Sequence, residues 1–162
     1  MEIIRIETKD ADRLAPLVAA FRVQLNAYRG IESRPNVEAG KEEILEFLHA
    51  GFPIYAADDG GTLAGYIVCR IDKPCLWVEH IFVREEYRRK GIASALFSKA
   101  EEIARSMGED TVYNFVHPNN DGMIRFLRSK SYTVLNMLEI RKPYRGETLT
   151  TTIHVEDKAF DY

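Results

Sequence analysis

Cysteine is nearly absent from this chain: Cys69 and Cys75 are the only two in 162 residues. They make no C-x-x-C pair and no zinc-like spacing with His49, His80, His117 or His154. A disulfide framework and a structural zinc site are thereby excluded, no metal is expected, and both cysteines read as reduced core residues. Positive charge is not in excess either. Lys and Arg number 22 against 25 Asp and Glu, for a formal net charge of −3. That balance argues against a general nucleic-acid binder or a polybasic membrane anchor, and suits a neutral or cationic substrate. No apolar run approaches the ~20 residues of a membrane span. Met1-Glu2-Ile3-Ile4-Arg5 lacks the basic start and apolar stretch of a signal peptide. The expectation is a soluble cytoplasmic protein that contacts neither nucleic acid nor membrane. Repeats and low-complexity linkers are missing too, and the length is that of one domain able to bury a core without staples.

What is present alternates between strand and helix patterns. Residues 2–7 alternate like an edge strand, and 11–28 place Leu14, Leu17, Val18, Phe21 and Leu25 at helical spacing. A break at Arg29-Gly30-Ile31-Glu32-Ser33-Arg34-Pro35 precedes a second helix over 37–50, ended near Gly51 and Pro53. Strands are predicted over 52–57 and 63–71, joined by the hairpin signal Asp58-Asp59-Gly60-Gly61, and over 74–83. A long helix over 90–107 closes at Gly108. A strand over 111–116, a helix over 120–130 and a last strand over 133–141 follow. Hairpins make antiparallel neighbours, whereas the helix over 90–107 must connect parallel strands. The class is α/β, with a mixed, mostly antiparallel sheet and helices on both faces.

The junction Val83-Arg84-Glu85-Glu86-Tyr87-Arg88-Arg89-Lys90-Gly91-Ile92-Ala93 carries the chemistry. A strand hands over through three cations and one glycine to a helix start, whose backbone N–H groups and positive dipole end form an anion site. Gly91 and Ala93 leave room for a phosphate to approach the backbone. Three cations oppose the dipole at a helix start, and an anion bound there relieves the conflict. Neither a Walker loop nor a dinucleotide fingerprint matches the spacing Arg88-x-x-Gly91-x-Ala93.

That spacing, with its flanks, resembles the acetyl-CoA pyrophosphate loop of the GNAT acetyltransferase superfamily, whose pattern is Gln/Arg-x-x-Gly-x-Gly/Ala. Downstream, the stretch from Asn120 to Tyr132 is similar to the family's Asn-x-x-Ala-x-x-x-Tyr-x-x-x-Gly-Phe. Asn120 and Tyr132 fit it, while Met123, Leu127 and Ser131 replace the alanine, tyrosine and glycine. The element order β-α-α-β-β-β-α-β-α-β is also that of the GNAT fold. The resemblance spans roughly 3–142, and its specific motifs lie between Glu79 and Tyr132.

What the resemblance implies is an acetyl-CoA-dependent N-acetyltransferase acting directly on an amine of a small molecule, peptide or protein. Acetyl-CoA is the co-substrate. Implied cofactor-binding residues are Ile81, Phe82 and Val83 on the strand, Arg88, Arg89, Lys90, Gly91, Ile92, Ala93 and Ser94 at the loop, and Asn120. Asn120 is equally explained as a helix N-cap. An attacking amine must lose a proton, and Glu79, on an otherwise apolar strand, is the first candidate base. His80 points to the opposite face of a regular strand, and shares a cleft with Glu79 only if a bulge intervenes. The family's tyrosine acid is Leu127 here, which has no proton to give. Tyr132 or Tyr113 substitutes, or solvent protonates the thiolate; of the two, Tyr132 is the candidate acid. The alternative to an enzyme is a non-catalytic acyl-CoA-binding sensor on the same fold. The acetyltransferase domain is expected over 1–145. A C-terminal extension over 146–162 includes a strand-like run from Thr148 to Val155, which offers an extra strand or a homodimer contact.

Overall fold

Alternation and β-branching place five strands in one sheet, in the spatial order β1 (Glu2–Arg5), β2 (Ile54–Asp59), β3 (Thr62–Asp72), β4 (Cys75–Val83) and β5 (Tyr113–Asn114). The computed structural model describes residues 1–162. Contacts divide them into a unit of residues 1–126 and a unit of residues 127–162. In the first unit, β1 through β4 are antiparallel neighbours, and β5 runs parallel to β4. The parallel pair follows from the helix between them, α3 (Ile92–Ser106).

Helix α1 (Ala11–Tyr28) buries Leu14, Leu17, Val18 and Phe21 along one stripe, and Pro16 in its first half does not break it. Helix α2 (Val37–His49) begins at Asn36, whose side chain accepts the Ala39 N–H at 3.0 Å. The helices approach so closely at Gly40 that a Cβ there would stand 2.7 Å from the Ala15 carbonyl oxygen. Together they cover the sheet face carrying Ile54, Ala56, Tyr66 and Val68. Ala57, Ile67 and Cys69 point to the other face and are equally inaccessible. Their cover is α3, which packs on β2, β3 and β4. Each large aliphatic side chain so buried contributes ~1.5–3 kcal/mol. No helix is long and apolar enough to cross a membrane.

Several elements differ from expectation. The strand expected over 111–116 contracts to two residues, and α3 begins at Ile92 rather than at residue 90. Cys69 is buried, and burial pushes its thiol up to about 12, but Cys75 is only half-buried and is not a core residue.

In the second unit the stretch 133–141 forms no strand, although its composition is that of one. Val134, Leu135, Met137 and Ile140 are exposed. Composition alone does not make a strand, which needs a neighbouring edge to take its N–H and C=O groups. The tail strand is shorter than expected, β6 (Thr152–Val155), and it pairs with an unforeseen partner, β7 (Lys158–Asp161), as a separate two-stranded hairpin.

Helix α4 (Asp121–Ser129) ends in this unit through a specific turn. Tyr132 N–H donates to the Leu127 carbonyl and Ser131 N–H to that of Arg128, both at 3.0 Å. Ser131 sits at φ 67°. This is the left-handed helix stop in which glycine is the usual residue, and it accounts for the glycine of the family pattern at that position.

Candidate active site

The centre of the first unit is a bulge in β4. Val68 pairs with His80 and Cys69 with Val78, so Glu79 is the extra residue between them. A bulge turns consecutive side chains toward one side. Glu79 and His80 therefore line the same cavity, as the sequence allowed only on this condition.

The cavity, of about 570 Å³, is walled by α1 (Arg22, Leu25), α2 (Ala39, Glu42, Glu43, Glu46, Phe47) and β4 (Glu79, His80). Four carboxylates face one guanidinium. Glu79 Oε1 accepts from Arg70 Nε at 2.5 Å, and Arg70 lies over the Trp77 ring at 5.5 Å, which fixes the carboxylate in place. Arg22 forms a two-pronged pair with Glu43, its Nε donating to Oε2 at 2.9 Å and its Nη2 to Oε1.

His80 lies beneath that pair at 4 % exposure. Its Nε2 is 3.2 Å from Arg22 Nη2 and 3.3 Å from Glu43 Oε1, and its Nδ1 is 3.1 Å from the Tyr66 hydroxyl. The rings of Phe21 and Phe47 enclose it. Burial, reinforced by Arg22, pulls its pKa down to about 3 against the pull of Glu79, so the imidazole is neutral. Burial likewise raises the Tyr66 hydroxyl well above its usual range.

Beside the cavity, β4 and β5 separate. They pair only at Trp77 with Tyr113 and at Val78 with Asn114, so from Glu79 to Val83 the outer edge of β4 has no strand beside it. Asn114 spends its amide on the Val112 carbonyl at 3.0 Å, and its buried Oδ1 has no partner. Ile81 and Phe82 are half-buried here and Val83 is buried.

The strand leads into the anion loop. Gly91 caps α3 at φ 80°, a left-handed conformation open to glycine. A Cβ there would touch no protein atom, so the glycine answers to its dihedral and to the space in front of it. Arg89 is also left-handed, at φ 63°. No side chain caps α3, which leaves its first N–H groups, through Ser94, to be met from outside the helix. Alternation of left-handed residues at an uncapped helix start makes an anion nest. Of the three cations, Arg88 turns back, its Nε donating to the Val83 carbonyl at 3.0 Å and its Nη2 to Gln24 at 3.2 Å. Lys90 donates to the Glu86 carbonyl, while Arg89 is exposed at the loop tip.

Asn120 proves to be the N-cap of α4, with Oδ1 accepting the Met123 N–H at 3.1 Å, and it also accepts from the Tyr28 hydroxyl at 3.1 Å. Tyr113 lies tilted against Trp77, with ring centroids 4.9 Å apart. Tyr132 belongs to the second unit, where its backbone closes α4. Arg22, Gln24, Tyr28, Glu46 and Tyr66 were not singled out in the sequence. Gln24 and Tyr28 carried one legible sign, a polar pair four residues apart and so on one face of a helix.

The arrangement offers an anion nest, an open strand edge with an orphaned acceptor, and an acidic cavity meeting at one bulge. Residues 17–132 match the acetyltransferase (GNAT) family. Among solved structures, the chain is similar to a ribosomal-protein-alanine N-acetyltransferase from Brucella melitensis biovar Abortus 2308, with 20% identity and TM-score 0.67 over 89% of this chain and 100% of that one. It is similar to the PaiA N-acetyltransferase from Thermoplasma acidophilum in complex with coenzyme A, with 22% identity and TM-score 0.68 over 80% and 87% of the two chains. A third is AAC(6')-Iy in complex with the bisubstrate analogue CoA-S-monomethyl-acetylneamine, with 16% identity and TM-score 0.67 over 88% and 97%. At such identities the likeness is one of fold. A search of curated protein sequences finds no match.

Proposed function

The chain belongs to the acetyltransferase (GNAT) family, and from that premise we propose that it moves the acetyl group of acetyl-CoA directly to an amine of a small molecule or a peptide. The observation that carries this reading is the β4 bulge, which opens Glu79 into an acidic cavity at the point where the outer edge of β4 becomes free. The residues present fit the co-substrate. The uncapped start of α3 suits a pyrophosphate, and the orphaned Asn114 Oδ1 offers an acceptor beside the free edge.

Acetyl-CoA, when bound, supplies an activated acetyl thioester. On this reading the backbone of Ile81, Phe82 and Val83 takes the pantetheine arm, and the N–H groups from Arg89 to Ser94 take the pyrophosphate. An acceptor amine with a pKa near the lysine value of ~10.4 arrives protonated. Glu42, Glu43, Glu46 and Glu79 attract that ammonium. Glu79, steadied by Arg70, takes its proton directly or through one water, and the free amine then attacks the thioester carbonyl. His80, neutral in its pocket, adds no charge that would repel the incoming cation. As the C–N bond forms and the C–S bond breaks, the nitrogen loses its second proton to water, and solvent protonates the departing thiolate, whose pKa of ~8.5 makes it a tolerable leaving group without a dedicated acid.

The test is thiol release from acetyl-CoA across a panel of diamines, aminoglycosides, amino acids and peptide N-termini. Release with a cationic amine, lost in Glu79→Gln while acetyl-CoA still binds, supports the reading. Binding without release for every amine class would instead favour a non-catalytic acyl-CoA sensor.

A further inference from the structure

Four side chains from three distant stretches form one directed chain of hydrogen bonds. Arg88 Nη2 donates to Gln24 Oε1 at 3.2 Å, Gln24 Nε2 donates to the Tyr28 hydroxyl oxygen, and Tyr28 O–H donates to Asn120 Oδ1 at 3.1 Å. The direction is forced by chemistry. A guanidinium only donates, so the carbonyl end of the Gln24 amide must face Arg88 and its NH2 must face Tyr28. With its oxygen already accepting, the phenol places its single proton on Asn120. Asn120 Oδ1 also takes the Met123 N–H at 3.1 Å, so both contacts require the oxygen in that place. Its NH2 group is then left with two protons and no partner within the protein. The same corner is fastened twice more. Asn119 Nδ2 donates to the Tyr28 carbonyl at 2.9 Å, and the rings of His117 and Tyr28 stack at 6.1 Å.

Capping α4 needs only the bond to Met123, so Tyr28 is superfluous to the helix. Its role lies in what the far end of the chain presents. Bonds aligned in one direction polarise one another, and this chain begins on the anion loop and ends on an amide whose donors are free.

We infer that Tyr28 is a positioning residue for the acyl-CoA. Together with the Met123 N–H, the line from the loop residue Arg88 through Gln24 and Tyr28 holds the Asn120 amide with its oxygen turned inward, so that Asn120 meets the co-substrate as a hydrogen-bond donor to a carbonyl or phosphate oxygen. The inference rests on the acetyl-CoA reading of the preceding subsection.

Its test is calorimetric titration of acetyl-CoA into the full chain and into Tyr28→Phe, Gln24→Glu and the double variant. Gln24→Glu discriminates between roles. The new carboxylate keeps and strengthens the contact with Arg88 but cannot donate to Tyr28, which turns its proton toward the carboxylate and away from Asn120. A structural role predicts no loss from this change. The relay predicts that each single variant weakens acetyl-CoA binding about five- to tenfold, as for one lost hydrogen bond with its geometry. The double variant should be no worse than either single one, and the melting temperature should hold. Turnover at saturating acetyl-CoA should stay unchanged while KM for acetyl-CoA rises. Normal binding by both single variants would overturn the relay alone, whereas failure of the unaltered chain to bind acetyl-CoA would overturn the functional reading with it.

Discussion

Glu79 and His80 are adjacent on β4 and open into the same cavity, because the bulge between Val78 and His80 removes the alternation that would have set them on opposite faces. They differ in what they can do there. Glu79 reaches the cavity on a short tether to Arg70, whereas His80 is locked among Tyr66, Arg22 and Glu43. Replacing Glu79 with Gln keeps the shape and removes the proton acceptor. Turnover with the preferred amine should fall about 10²- to 10³-fold, while acetyl-CoA affinity stays within about twofold. Steady-state thiol release alongside calorimetry checks both numbers.

His80 should make stability depend on pH. Its folded pKa, about 3, lies below the unfolded value of ~6.5, so in the window between them the unfolded chain binds a proton that the folded chain refuses. Stability is therefore fully present above pH ~6.5 and is lost as the pH falls toward 3. Between pH 7 and pH 5 this one group should remove about 2 kcal/mol. Urea denaturation at the two pH values should show the loss, and His80→Asn should flatten the difference.

Gly91 holds φ 80° at the mouth of the anion loop. Gly91→Val should strain that conformation by ~1–2 kcal/mol and fill the space before the α3 N–H groups. Acetyl-CoA binding should weaken at least about tenfold with the circular dichroism of the fold retained. An affinity equal to the parent's would remove the loop from the cofactor site.

The fold was legible where the information is local. Helix α1 falls on residues 11–28 as its apolar spacing requires, and the Asp58-Asp59-Gly60-Gly61 turn joins the strands it was expected to join. The turn into α3 was readable because glycine, cations and a helix start are consecutive. The cavity was not. Arg22, Glu43 and His80 come from a helix, a second helix and a strand, and nothing in one stretch of chain records that they meet. The bulge was open to reasoning only as a condition, since an extra residue appears in the pairing and not in the composition of β4. Residues 133–141 failed for the opposite reason: the pattern is local, but a strand needs an edge that the pattern cannot supply.

Glu43 is the carboxylate most deeply engaged in the cavity, and it already holds a guanidinium. If the acceptor is drawn in by charge, Glu43→Gln should raise KM for a dicationic amine about tenfold, and far less for a monoamine of equal length. The gap should narrow as salt is raised toward ~1 M, where the screening length shrinks to ~3 Å. Equal effects on both amines would argue that charge does not select the acceptor.

Ser131 occupies a left-handed position at the end of α4, with φ 67°. Ser131→Gly should stabilise the helix end by about 0.5–1 kcal/mol, since the relief of steric cost exceeds the entropy added to the unfolded chain. Thermal melts of the two proteins would show it. A lower melting temperature would mean that the serine side chain contributes more than its backbone strain costs.

Helix α1 serves two sides at once. Arg22 stands in the wall of the acidic cavity, and Gln24 and Tyr28, one turn apart, carry the line from the anion loop to Asn120. Anyone wishing to change the acceptor would naturally randomise this helix, and would find the library unequally forgiving. Changes at Arg22 and Leu25 would retune acceptor choice, whereas changes at Gln24 and Tyr28 would impair use of the acetyl donor before any new acceptor was tried. A redesign that keeps those two residues and varies Arg22 and Leu25 searches acceptor space without discarding the donor.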